Sequence, residues 1–154
     1  ADIDNDGDLD LLFVEYAANI SFTRNNGDGT FGAVTQLPAL TLSDFYVTDV
    51  DGDNLPDIVS SVYVDTTYAE TAISIWRNLG GGSFSGQQIV QSTRVTSFVG
   101  LTGVGDVDGD GLKDLVLSND GLSWSRNLGG DSFGSPVTIS TGGITYSSTV
   151  HDID

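Results

Sequence analysis

The stretch Asp2-Ile3-Asp4-Asn5-Asp6-Gly7-Asp8-Leu9-Asp10 returns as Asp49-Val50-Asp51-Gly52-Asp53-Asn54-Leu55-Pro56-Asp57 and as Asp106-Val107-Asp108-Gly109-Asp110-Gly111-Leu112-Lys113-Asp114. A fourth copy opens at Asp152-Ile153-Asp154. Numbered from its first residue, each full copy carries Asp at positions 1, 3, 5 and 9. Position 6 is Gly7, Asn54 or Gly111, residue types that tolerate the left-handed backbone of a tight turn. Such a turn sets three carboxylates on one side. The first aspartates lie 47, 57 and 46 residues apart, and self-similarity at this period marks a chain of stacked supersecondary units.

Working outward from each loop, the residues read as strands. Leu11-Leu12-Phe13-Val14, Ile58-Val59-Ser60-Ser61 and Leu115-Val116-Leu117-Ser118 are too short for helices. Their consecutive apolar residues predict strands covered on both faces. Ile20-Ser21-Phe22-Thr23-Arg24-Asn25, Ile73-Ser74-Ile75-Trp76-Arg77-Asn78 and Leu122-Ser123-Trp124-Ser125-Arg126-Asn127 follow, alternating with the period of two that means strand. A glycine-rich turn and a phenylalanine come next, ending at Phe31, Phe84 and Phe133. These read as hairpins in which the Phe anchors an outer strand. A further strand enters each loop, as in Phe45-Tyr46-Val47 and in the residues from Leu101 to Val104. The polar insertion Asp65-Thr66-Thr67-Tyr68-Ala69-Glu70 explains the long middle repeat and is expected between its second and third strands.

The expected fold class is therefore all-β, with β-propeller-type blades of four antiparallel strands, about three of them. They divide near 1–42, 43–95 and 96–141, with the start of a further blade at 142–154. The first blade lacks its entering strand, and residues 145–150 are expected to be an entering strand without the rest of its blade. Rings of this kind have about four to eight blades. The chain is thus expected to be a segment of a longer protein, or one subunit of an array that neighbouring blades or subunits complete.

Composition narrows the function. Five basic residues stand against 22 acidic ones, a net charge of -17. Such a surface repels nucleic acid, and no Lys/Arg stripe exists to release counterions. Hydrophobic content of 38% is enough for a modest core. Cysteine is absent, which excludes disulfides and thiolate metal sites. No apolar run approaches membrane-spanning length, so no membrane insertion is expected.

The loop chemistry points to a hard cation. Position 7 offers a carbonyl and position 9 a closing Asp, completing an all-oxygen cage suited to calcium. Zinc would want nitrogen or sulfur; magnesium, the competitor, retains several waters. Carboxylates about 4 Å apart repel by roughly 4 kcal/mol per pair at an effective dielectric of about 20. A helical EF-hand needs an acidic ligand at position 12, and this chain has Phe13, Ser60 and Leu117 there.

The joint pattern Asp-x-Asp-x-Asp-Gly-x-x-Asp, apolar strand, then Arg-Asn-x-Gly-x-Gly-x-Phe resembles the FG-GAP/VCBS repeats of integrin-alpha-like propellers, propeller lectins and bacterial surface proteins. The resemblance covers nearly the whole chain, with Asn54 replacing the usual glycine. It implies propeller blades whose ion loops join the first two strands. It assigns calcium coordination to Asp2, Asp4, Asp6, Asp8 and Asp10, to Asp49, Asp51, Asp53, Leu55 and Asp57, and to Asp106, Asp108, Asp110, Leu112 and Asp114. Position 7 acts through its carbonyl. About three calcium sites are expected, with a fourth cut short at Asp152 and Asp154.

Gly27-Asp28-Gly29-Thr30-Phe31-Gly32 matches a dinucleotide fingerprint, but that fingerprint must open a helix. Arg24, Arg77 and Arg126 share strand parity with the apolar residues before them. They either pair inward with a loop carboxylate or a neighbouring blade, or pack their stems and reach water. Trp124 has core parity, whereas Trp76 is either an exposed sugar-stacking platform or a plug between blades. Asn19-Ile20-Ser21 is a glycosylation sequon. His151 is the sole histidine, aligned with Thr48 and Gly105, and no nucleophile with an oriented base is visible.

The sequence is thus read as a non-catalytic, calcium-binding extracellular module, secreted or at the cell surface, for adhesion or for glycan or protein recognition. Two alternatives stand beside it. One is an assembly subunit of a ring or filament completed by neighbours; the other is an accessory propeller of a polysaccharide lyase.

Overall fold

The computed structural model describes residues 1–15, 19–38, 41–65, 70–93, 100–118, 120–143 and 145–151, with the backbone alone at 41–43, 65 and 93. Among these residues the chain is all-β, without a helix. Three antiparallel sheets follow one another. The first orders β1 (Leu11–Val14), β2 (Ile20–Thr23) and β3 (Thr35–Leu37). The second orders β4 (Thr41–Thr48), β5 (Asp57–Asp65), β6 (Glu70–Trp76) and β7 (Gln88–Thr93). The third meanders in the same way through β8 (Gly100–Gly105), β9 (Asp114–Ser118), β10 (Gly121–Ser125) and β11 (Val137–Thr141).

Register puts the aspartate loops at a fixed place. The last pairs of the first two strands are Thr48 with Asp57 and Gly105 with Asp114, so position 9 is the first residue of the strand leaving the loop. The polar insertion begins at the Asp65–Glu70 pair that joins β5 to β6; residues 66–69 lie outside the described residues. Each glycine turn is closed by an isolated bridge, Asn25 to Phe31, Asn78 to Phe84 and Asn127 to Phe133. The phenylalanines therefore pin the turn rather than belong to the outer strand. Gly27 and Gly29, at φ 75° and 85°, sit in such a turn, which settles the dinucleotide pattern as hairpin chemistry.

Alternation along the strands sorts side chains to two sides, and both sides of the middle sheet are covered. Ile58 and Trp76 face the first sheet, packing with Ile3, Ile20, Phe22 and Leu37. Val59, Ile73 and Ile75 face the third, packing with Val50, Leu101, Leu115 and Leu117. Each such aliphatic side chain stabilises the stack by about 1.5–3 kcal/mol on full burial. Trp76 is therefore a plug between sheets and not a platform. The rings of Phe22 and Phe84 meet across the same boundary edge to face, with centroids 5.6 Å apart and planes at 66°. The inner strands touch as well: Tyr46 Oη donates to the Thr102 carbonyl at 2.5 Å.

Two expectations change. β9 is buried along its length, as is the start of β5, but Leu11 and Val14 of β1 are exposed, because no described sheet covers their outer side. Residues 145–150 form no ladder. Instead they lie against β8, where Ser148 N donates to the Thr102 carbonyl at 2.6 Å. A Cβ at Gly103 would sit 2.6 Å from Ser148 Oγ, so glycine there permits the close approach. The sequon at Asn19 has Ile20 and Ser21 fully buried, a poor setting for a glycan.

Trp76 tests this packing. Its indole N–H is buried with no hydrogen-bond partner among the described residues, so only its bulk stabilises. Trp76→Phe should melt close to the parent, whereas Trp76→Ala should lose about 3–5 kcal/mol in denaturant unfolding. Equal losses in both variants would contradict the plug.

Candidate metal centre

Each loop is wound around the carboxylate at position 1. Asp49 accepts from Gly52 N at 2.7 Å and Asn54 N at 2.9 Å. Asp106 accepts from Gly109 N and Gly111 N at the same distances, and Asp2 accepts from Asp6 N and Gly7 N. Position 5 then receives the N–H of position 7, as Asp6 does from Asp8, Asp53 from Leu55 and Asp110 from Leu112. This winding needs positive φ twice. Position 6 has it at Gly7, Asn54 and Gly111, and so does position 4, at Asn5 (63°), Gly52 (84°) and Gly109 (80°). The sequence marks position 4 as well, with an Asn or Gly in each copy.

Position 9 does something different. Asp10, Asp57 and Asp114 are buried, and each ties its loop to the end of the Arg-Asn strand. Asp57 accepts from Val50 N at 3.1 Å and Asn78 N at 2.8 Å. Asp10 holds Ile3 N and Asn25 N, and Asp114 holds Val107 N and Asn127 N. Burial pushes the Asp57 carboxyl up, against the pull of the Asn78 and Val50 amides and the Arg77 charge. The asparagine then reaches the preceding repeat. Asn78 Nδ2 donates to the Ile3 carbonyl at 2.8 Å and Asn127 Nδ2 to the Val50 carbonyl at 2.9 Å.

The arginines face the position 3 carboxylates of their own repeats. Arg77 is mostly buried, bound to Asp51 at 2.9 Å, to Asp57 at 3.0 Å and to Asp131 of the next repeat. Both partners envisaged for it, a loop carboxylate and a neighbouring blade, are present. Arg24 and Arg126 are half-exposed. Arg24 lies 3.5 Å from Asp4 and donates to the Gly81 carbonyl of the next repeat. Arg126 holds Asp108 at 2.7 Å and Asp110 at 2.9 Å. The Leu112 amide and Arg126 together pull the Asp110 carboxyl below the usual range.

Three acidic groups able to hold a metal ion result: Asp2, Asp4 and Asp6; Asp49, Asp51 and Asp53; and Asp106, Asp108 and Asp114. Within each, one oxygen per residue lies within 4.8 Å of the others. Asp110, held by Arg126 and the Leu112 amide, falls outside the third group, and Asp114 stands in it instead. Asp8 Oδ2 sits against Gly27, where a Cβ would come within 2.5 Å of it. Leu55 and Leu112 stand at position 7 of their turns, while Asp152 and Asp154 lie outside the described residues. Asp4 Oδ1 is buried with no hydrogen-bond partner among the described residues. Burial, then the Asp6 and Asp10 charges, hold the Asp4 carboxyl above its usual range. An orphaned carboxylate oxygen among other carboxylates fits a hard, oxygen-seeking cation.

Position 9 can be separated from the open carboxylates by substitution in chelator. Asp57→Ala leaves two buried N–H groups without an acceptor and should lose about 2–5 kcal/mol with no metal present. Asp53→Asn should melt within about 0.5 kcal/mol of the parent under the same conditions. Parity between the two would remove the structural role of Asp57. Arg77→Lys, unable to reach three carboxylates with a planar fork, should lower the melting temperature.

Comparison with known proteins agrees with this geometry. Residues 2–60 and 49–117 each match the family model described as FG-GAP-like repeat, and the two segments together cover more than half of the chain. No curated protein matches the chain in sequence. Among solved structures, a lectin of Agrocybe aegerita, described for its specific recognition of non-reducing terminal N-acetylglucosamine, is similar with a TM-score of 0.65 at 23% identity. The match covers 92% of this chain and 37% of the lectin chain, so the chain spans little more than a third of that protein and shares its fold. By the residues matched, the chain belongs to the FG-GAP-like repeat family.

Proposed function

We propose that the chain is a non-catalytic, calcium-binding propeller module that acts outside the cell, in adhesion or in the recognition of glycan or protein. The observation that carries the reading is the recurrence of a three-carboxylate cluster at one place in every repeat, on the loop leading into the second strand of the blade. Its proposed ligands are Asp2, Asp4, Asp6, Asp8 and Asp10, Asp49, Asp51, Asp53, Leu55 and Asp57, and Asp106, Asp108, Asp110, Leu112 and Asp114, with the position 7 residues using their carbonyls. When bound, calcium supplies positive charge that cancels the repulsion among these carboxylates. The blades divide near 1–42, 43–95 and 96–141. The similarity to a lectin supports a binding role, and terminal N-acetylglucosamine is the first sugar to test. No described helix is long and apolar enough to cross a membrane.

Calcium should raise the melting temperature over chelator, and magnesium should do so less. Titration calorimetry should give about three sites in the parent and one fewer in Asp51→Asn. Identical melts with and without calcium would refute the ion reading. A glycan array probed with the calcium-loaded chain should show binding that chelator abolishes; silence across sugars would move the role to protein partners.

A further inference from the structure

Arg24 and Arg77 each stand between their own aspartate loop and the glycine turn of the next repeat, and the two boundaries differ at one turn position. Gly82 and Asp131 both come two residues before the turn phenylalanine, Phe84 or Phe133. Both have positive φ, 69° and 65°, a backbone that glycine adopts freely and aspartate at a cost. The contact that offsets the cost is with Arg77 of the preceding repeat. At the first boundary Arg24 Nη2 donates to the Gly81 carbonyl at 2.7 Å, and a Cβ on Gly82 would come 2.5 Å from that same nitrogen. The Arg24 guanidinium thus lies where, one boundary on, the side chain of Asp131 begins.

The two arginines are placed differently as a result. Arg24 meets a neutral turn, and 47% of its side chain is exposed. Only 12% of the Arg77 side chain is exposed, and its two terminal nitrogens serve different repeats. Nη1 is shared by Asp51 and Asp57 of its own loop, while Nη2 faces Asp131. Of these three carboxylates, Asp131 alone lies outside the loop. A cation entering the second loop needs the Asp51 oxygens that Arg77 holds, and it would stand beside a guanidinium of like charge, which it repels. Arg24 can move into water when its loop is filled. The planar fork of Arg77, mostly buried, needs another carboxylate to hold it.

We propose that Asp131 is a positioning residue for the second aspartate loop: it keeps Arg77 when a cation takes Asp51, so that filling the loop and pairing Arg77 with Asp131 across the boundary strengthen one another. This rests on the calcium reading of the loops. By linkage, the factor by which Asp131 raises calcium affinity is the factor by which calcium tightens the pair. The first loop has no such partner, because Gly82 stands in the place of Asp131. Neighbouring loops built on one pattern therefore differ in affinity, and the second reports its occupancy to the repeat that follows.

Calorimetric titration of the full chain with calcium chloride tests this, the second site being the one lost in Asp51→Asn. Asp131→Asn should weaken that site about five-fold or more and leave the others unchanged. The loss should vanish in an Arg77→Gln background, where no guanidinium remains to be held. Gly82→Asp removes no buried group and carries the same test should Arg77→Gln not fold. It should tighten the first loop, the site lost in Asp4→Asn, whereas Gly82→Asn, of equal size and without charge, should not. The Ser132 and Gly134 amides bond within the turn of Asp131, and calcium should slow their hydrogen exchange more in the parent than in Asp131→Asn. A parent that binds no calcium would refute the ion reading and this coupling with it. A parent that binds would leave the ion reading standing and overturn the coupling alone on any of four results: Asp131→Asn binding as the parent does, a loss that persists without Arg77, Gly82→Asp without effect, or equal slowing of exchange.

Discussion

A buried carboxylate with two backbone amides to satisfy is the constraint on which the rest of this structure depends. Asp10, Asp57 and Asp114 each hold one amide from their own loop and one from the corner where the third strand ends. Removing a carboxylate from water is costly unless charge-assisted hydrogen bonds replace the lost hydration, and here two or more do. With that link made, the direction of the loop, the start of the second strand and the end of the third are fixed together. The asparagine that follows the arginine is then aimed at the preceding repeat, and the arginine at the loop's third residue and at the repeat beyond.

Seen this way, the loop serves two needs at once. Its position 1 and position 9 carboxylates each hold two backbone amides, while position 5 holds the amide of position 7 and position 3 faces arginine. Arg77, Arg24 and Arg126 supply positive charge beside position 3 in every repeat. The clusters thus have a partial counter-charge of their own, and an added cation would share position 3 with a guanidinium.

Much of this was legible in the sequence because it is local and periodic. The nine-residue spacing of aspartates, the alternation in Ile73-Ser74-Ile75-Trp76 and the glycine turns made strand order, turn sites and two of the acidic clusters readable; the third cluster takes Asp114 in place of Asp110. Parity also placed Trp76 on the face opposite Ile73 and Ile75. What parity does not reveal is which sheet lies on that face; the size of the aromatic favours a plug over a platform, and the packing with Ile3 and Ile58 makes it one. Pairings such as Arg77 with Asp131 join residues more than fifty positions apart, and no short pattern encodes them. The exposure of Leu11 and Val14 was illegible for the same reason, since burial belongs to the neighbour as much as to the strand.

The asparagine joint gives the stack a polarity. A loop's second residue is clamped by the sheet that follows it and contributes its side chain there, so disorder in one loop is felt in the next sheet as well as in its own. Spectroscopic probes meant to report on a loop belong one repeat further along the chain.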